Sequence, residues 1–278
     1  MYTKYDKCMI PKIIHYSWFS GDPMPESYIS IMENWKKVLP DYELRLWDAK
    51  ALKEANLTFA NEAFAARKWA FAADAIRCYA VYHEGGIWLD GDVVVHRSFD
   101  SFLHHRMFIG KEYVIEFQHD ETNHNVSTLT SHCFGAEKGH PFLKDCVDYY
   151  KYKHFIQLDD KNMPQGLRYD MRQIPSVQSR LALKYGYQGR IPNLEDIEVL
   201  DEDIHVYPPY YFDEPRYHGM KDVVCIHCKA GSWRKANTWN SDIENKQFVR
   251  KKDLAYYIYT WANKYLAKKG YWLKVLSI

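Results

Sequence analysis

The chain lacks any apolar run approaching the about 18 residues of a membrane-crossing helix, and it has no charged-then-apolar N-terminal leader. Neither a span nor a secretion signal is expected, which favours a cytoplasmic protein. Its formal net charge is only +1, which argues against a general nucleic-acid binder. The six cysteines (Cys8, Cys78, Cys133, Cys146, Cys225, Cys228) follow no framework spacing and read as free thiols in a reducing compartment. No second C-x-x-C completes Cys225-Ile226-His227-Cys228. With Val223, Val224 and Ile226 around it, that stretch reads as a short buried strand, with Cys225 and His227 on one face, and not as zinc or thiol redox chemistry. A Gly-rich Lys-Ser/Thr phosphate loop is also missing.

What is present suits a well-filled domain: 278 residues, 47% hydrophobic and 16% aromatic, enough for one large domain or one and a half. Strand and helix patterns alternate without repeats or low-complexity linkers. Ile10–Phe19 reads as a strand and Ser27–Val38 as a helix with Ile31, Met32 and Trp35 on one side. Tyr42–Trp47 alternates as a second strand, and Glu62–Tyr82 reads as one Ala-rich helix of about 20 residues, stopped at Gly85-Gly86. That order implies an α/β fold with a mostly parallel sheet, whose ligands bind beyond the carboxyl ends of its strands.

Gly85-Gly86-Ile87-Trp88-Leu89-Asp90-Gly91-Asp92-Val93-Val94-Val95 carries the strongest chemical signal. Read as one buried strand, it turns Asp90 and Asp92 to the same face, roughly 7 Å apart. Gly91 would leave room beside the backbone for a ligand. Two like charges there call for a cation, Mn²⁺ or Mg²⁺, with positions left open for a diphosphate. An Asp-Gly turn is the competing reading. On the preceding helix Ala70, Asp74 and Arg77 share a stripe, either as a solvated ion pair or as one wall of the crevice that the aspartates face.

Arg67 to Arg77 and Tyr82 to Asp92 resemble the Asp-x-x-Arg helix and Asp-x-Asp strand of glycosyltransferase family 32, the group with a sugar-binding region containing a DXD motif. That group includes capsular-polysaccharide transferases and relatives of clostridial toxin glucosyltransferases. Ile10–Phe19, Gly135–Phe142 and Ile226–Trp233 resemble three further blocks of the family. The resemblance implies a GT-A fold over residues 1–240, a nucleotide-sugar donor (a UDP-sugar by expectation), a divalent metal, and hexose transfer with retention to a glycan in surface or capsular polysaccharide synthesis. Carried over residue by residue, Asp92 binds the metal, Asp90 faces ribose and metal, and Asp74 and Arg77 hold donor-sugar hydroxyls. His227 gives a further metal or diphosphate contact, Ser232 and Trp233 close over the phosphates, and Trp18 stacks on the base. Trp88, where relatives carry Tyr, and His15 join the donor-site candidates; Ser131 stands where many relatives carry Asn. A His among apolar residues more often reflects packing, which is the reading given to His15, His83, His132 and His140 from their surroundings.

The chemistry points the same way. Breaking a sugar–phosphate bond leaves charge on a nucleoside diphosphate, so the site needs a cation and donors aimed at those oxygens. A metal-dependent nucleotidyl or phosphoryl transferase and a non-catalytic carbohydrate-binding protein are the alternatives. From Lys246 onward, basic residues accompany Leu254, Tyr257, Ile258, Trp261 and Tyr265 at helical spacing. Residues 241–278 are therefore expected to form a helical tail, packed on the domain or lying at an anionic membrane, where a lipid-linked oligosaccharide acceptor would be found.

Overall fold

The computed structural model describes residues 10–116, 126–190, 194–216 and 218–229. Ser232, Trp233, the expected boundary near residue 240 and the tail lie outside the described residues. The chain runs β1 (Ile13–Ser17), α1 (Glu26–Val38), β2 (Glu43–Trp47), α2 (Ala49–Ala55), α3 (Thr58–Ala65), α4 (Trp69–Glu84), β3 (Gly86–Leu89), β4 (Val93–Val95), β5 (Met107–Glu116) and β6 (Val126–Ala136). It continues through α5 (Pro141–Lys151), α6 (Gln165–Arg168), α7 (Ile174–Ala182), β7 (Glu198–Leu200), β8 (Ile204–Tyr207), α8 (Pro209–Phe212) and β9 (Cys225–His227). Seven strands form one sheet in the order β2-β1-β3-β6-β5-β8-β7, while β4 and β9 pair separately.

The α/β class holds, with the parallel pairings concentrated where the sequence alternates strand and helix. β1 runs parallel to both β2 and β3, whereas β6 runs antiparallel to both β3 and β5. β8 is parallel to β5, and β7 closes the edge antiparallel to it. The sheet is thus mixed. Side chains of β3 alternate across it: Ile87 and Leu89 enter the core shared with Ile31 and Trp35 of α1, and Trp88 enters the core shared with α3, α4 and α5.

Two expected elements are broken in informative places. The single helix over Glu62–Tyr82 is two helices, because Arg67 adopts a left-handed φ of 56°. The Lys68 amide then reaches back to the Ala63 carbonyl at 2.8 Å. This bend lets Phe59, Ala60 and Ala63 of α3 and Phe71, Ala72 and Ala75 of α4 all bury, which one straight stripe would not achieve. The continuous strand through Val95 is β3, a turn at Asp90-Gly91-Asp92, and β4 in the other sheet. The Val93 amide donates to the Asp90 carbonyl at 3.0 Å across that turn.

Gly85 and Gly86 have φ of 72° and 103°, and they swing the chain from α4 into β3. A Cβ on Gly86 would lie 2.7 Å from the Ile13 carbonyl oxygen, a backbone atom that cannot step aside. Gly86→Ala is therefore expected to cost about 2 kcal/mol or more through strain and clash. Urea denaturation checks this, and an unchanged midpoint would show that β1 and β3 can part without penalty.

Candidate functional site

The site forms where β3 ends. Arg77, on α4, is only 4% exposed and joins its parts. Its Nη2 lies 2.9 Å from Asp74 Oδ1 and its Nη1 lies 3.2 Å from Asp90 Oδ2. The same Nη1 donates to the Ser131 carbonyl at 2.7 Å, and the guanidinium lies 5.5 Å from the centre of the Trp88 ring. Burial opposes the arginine's charge, but Asp90 and Asp74 more than offset this and raise its pKa. The ion pair is thus a buried one facing the aspartate turn, and the solvated-face reading is overturned.

Asp74 is 8% exposed. Burial pushes its carboxyl up to about 7, against the pull of Arg77 and a hydrogen bond from the Ile174 amide at the start of α7. Asp90 is oriented from behind: the Trp88 indole N–H donates to its Oδ1 at 2.7 Å, and its own amide donates to the His132 carbonyl at 3.0 Å. Trp88 is fully buried. The sequence points to donor contact for this ring, but it lies in the core and orients the Asp90 carboxylate instead.

His15 is corrected in the same way. It is fully buried, accepts the Trp47 indole N–H on Nδ1 at 3.1 Å, and donates from Nε2 to the Gly85 carbonyl at 2.8 Å. Both nitrogens are committed to protein, and burial lowers its pKa. It braces the glycine turn ahead of β3. His140 is also structural, capping α5 by accepting the Phe142 amide at 3.2 Å.

Asp92 and His227 come together through the β4–β9 ladder, which opposes Val93 to His227. The Cys228 amide donates to the Asp92 carbonyl at 2.9 Å, and His227 Nε2 lies 3.4 Å from Asp92 Oδ1. From the other side the Trp35 indole donates to the Val93 carbonyl at 2.7 Å and Asn34 accepts the Val95 amide at 3.0 Å, so α1 fixes β4. Ligand atoms of Asp90, Asp92 and His227 all lie within 4.8 Å of one another. His227 Nδ1 is buried with no hydrogen-bond partner among the described residues. Two carboxylates and one imidazole at that spacing fit Mn²⁺ or Mg²⁺ with a modest closing of the side chains.

Beneath the ligands lies a polar layer that sequence reasoning missed. The rings of His132 and His227 stack with centroids 4.0 Å apart, and His132 Nδ1 lies 3.5 Å from Glu112 Oε1. Burial works against a charge on His132, but Glu112 and Asp213 outweigh it and raise its pKa. Lys229 Nζ sits 3.3 Å from Asp213 and 3.2 Å from Glu214. None of these contacts is local in sequence, so no spacing announces them.

Gly91 serves a neighbour and not a ligand. A Cβ there would meet the Tyr28 ring at 2.3 Å, and Tyr28 in turn packs against Trp18 with ring centres 5.3 Å apart. Trp18 is half-exposed at the carboxyl end of β1 and donates its indole N–H to the Asp22 carbonyl at 2.7 Å. Tyr28 was findable, since it lies one turn before Ile31 and Met32 on the apolar stripe of α1.

Comparison with known proteins agrees with this geometry. Residues 25–109 match the glycosyltransferase sugar-binding region containing DXD motif, a span that holds Tyr28, Asp74, Arg77, Asp90 and Asp92. Inositol phosphoceramide mannosyltransferase 3 of Schizosaccharomyces pombe is 30% identical over 142 residues, covering 50% of this chain and 36% of that protein. Inositol phosphoceramide mannosyltransferase 2 of the same organism is 30% identical over 105 residues, covering 36% of this chain and 30% of that protein. The match therefore spans about a third of the length of these relatives. Among solved structures, the PaToxG glycosyltransferase superposes with a TM-score of 0.43 at 17% identity, over 67% of this chain and 72% of that one.

The position of Asp74 gives a pH signature. A folded-state value near 7, above the ordinary 3.8, means that the native protein holds a proton which the unfolded chain releases. Stability from this group is therefore full at the acid end and falls as pH rises between about 4 and 7. Urea unfolding of wild type and Asp74→Asn at about pH 5 and about pH 8 should show a smaller fall in the variant. Equal falls in both would place the carboxyl at its ordinary value.

Proposed function

We propose that this chain is a metal-dependent glycosyltransferase that moves a hexose, with retention, from a nucleoside diphosphate sugar to a glycan acceptor. The observation that carries the reading is the convergence of Asp90, Asp92 and His227 at the carboxyl end of β3, joined through Arg77 to the buried Asp74. The match of residues 25–109 to a DXD sugar-binding region supports it. Mn²⁺ or Mg²⁺ would be held by Asp92 and His227 with Asp90 at its flank. When bound, the cation would neutralise charge on the departing diphosphate.

The chain's own residues divide the remaining work. Asp90, fixed by Trp88 and Arg77, accepts from the ribose. Asp74 accepts from a hydroxyl of the donor sugar. Trp18, backed by Tyr28, offers an aromatic face to the base. Arg77 spends its donors on protein, so it positions the two carboxylates more than it touches sugar. A UDP-sugar and a role in surface or capsular polysaccharide synthesis belong to this reading. The relatives' names add mannose as a candidate sugar and a lipid-borne acceptor, consistent with a lipid-linked oligosaccharide.

A donor screen over UDP- and GDP-sugars, with and without Mn²⁺, tests the proposal by reading released nucleoside diphosphate. Release of pyrophosphate or of orthophosphate would indicate nucleotidyl or phosphoryl transfer. Sugar binding without release of any kind would indicate a binding protein.

Asp92→Ala should lose at least about 100-fold in rate, as expected on removing a main electrostatic support of the leaving group. Full activity of that variant in chelator would end the metal reading. The helix pair separates by calorimetry. Asp74→Asn should weaken the donor sugar while leaving UDP affinity within about twofold. Arg77→Ala should weaken both by more than about tenfold, because it strands a buried carboxylate and frees Asp90. Unchanged UDP binding in Arg77→Ala would show that Asp90 keeps its place without the guanidinium.

A further inference from the structure

Half of the exposed large apolar side chains among the described residues fall in one short stretch: Tyr152, Ile156, Leu158, Met163 and Leu167, from 36% to 79% exposed. The stretch links α5 to α7 and is firmly held at its base. The Gln157 amide donates to the Arg168 carbonyl at 2.7 Å, the Asp170 amide to the Phe155 carbonyl at 2.8 Å, and Phe155 stacks on Tyr169 with centroids 4.9 Å apart. Phe155 also meets Phe59 and Phe71 of the core at 5.4 Å each. An apolar tip on a fixed base stays turned to solvent, and a patch of that kind marks a contact surface.

Its charge indicates what it contacts. Residues 151–168 carry Lys151, Lys153, Lys161 and Arg168 against Asp159 and Asp160. Lys151 lies over the Tyr152 ring at 5.2 Å, Lys153 over Tyr149 at 4.4 Å and Arg168 over Tyr169 at 4.9 Å. Cationic heads layered over aromatic rings beside exposed leucines form the pattern that lies at a bilayer interface, with apolar groups in the acyl boundary and positive charge at the headgroups.

We propose that residues 152–168 dock on a bilayer bearing anionic lipid. The chain leaves this segment for α7, whose first amide, at Ile174, bonds Asp74. The docking segment and the Asp74 end of the proposed site are thus joined by one short stretch of chain. A lipid-borne acceptor follows from the surface together with the glycosyltransferase reading, whereas the docking itself stands without that reading.

The test is co-sedimentation of the full chain with vesicles of phosphatidylcholine alone and of equal parts phosphatidylcholine and phosphatidylglycerol, across a salt series. Wild type should bind the anionic vesicles and lose them as salt rises. Leu158→Ser with Leu167→Ser should bind at least about tenfold more weakly, and Lys153→Glu with Lys161→Glu should lose the preference for anionic lipid. All four side chains are partly or well exposed, so thermal midpoints should hold and confirm folded variants.

Binding by the leucine variant equal to wild type overturns the proposal. That includes the case in which binding is lost only in Lys251→Glu with Lys252→Glu. No vesicle binding by wild type, with self-association abolished by the leucine changes, overturns it too, and assigns the patch to a second copy of the chain. Nucleoside diphosphate release from soluble donor, measured in parallel, should be the same in the loop variants and wild type. Its absence throughout would fail the donor reading and leave the vesicle result standing.

Discussion

A single buried guanidinium sets the terms for the rest of this site. Arg77 is almost wholly removed from water, a position that costs several kcal/mol unless its charge is answered at short range. Asp74 and Asp90 answer it, and the carbonyls of Ala73 and Ser131 accept its remaining donors. This ties α4, the aspartate turn and β6 into one unit. The raised pKa of Asp74 comes chiefly from burial, with the nearby Asp90 charge adding to it against the pull of Arg77.

The second constraint is the small β4–β9 sheet. It supplies only three register pairs, too little to stand alone. It persists because α1 grips β4 through Trp35 and Asn34, and because the Val224 and His227 amides donate to the Tyr211 and Asp213 carbonyls at 2.8 and 2.9 Å. Those contacts carry His227 to within reach of an aspartate far away in the sequence. The stacking of His132 on His227, with ring centroids 4.0 Å apart, then sets the ring's plane from below.

Much of this fold is legible in the sequence. Periodicity located α1, β2 and the helix–glycine–strand passage, and the aspartates, Asp74, Arg77 and His227 were all singled out. What failed did so for physical reasons. Arg67 takes a left-handed conformation that neither its neighbours nor its own side chain announce, so one helix was read where two exist. Trp88 and His15 sit beside the right residues, but sequence does not say whether an aromatic ring faces the ligand or braces a group that does. Glu112, Asp213 and Lys229 come from separate strands and loops and meet only through the fold.

The aspartate turn departs from the unbroken strand that the sequence suggests. On an unbroken strand the backbone positions of the two aspartates would stand roughly 7 Å apart on one face. Ending β3 at Leu89 and turning through Gly91 draws the ligand atoms within 4.8 Å, together with His227. The turn demands a residue without a side chain at its apex, because Tyr28 occupies the space where a Cβ would project. The glycine between the aspartates is thus required by the packing of α1, and the turn it permits brings the ligand atoms of two acidic residues and a histidine together.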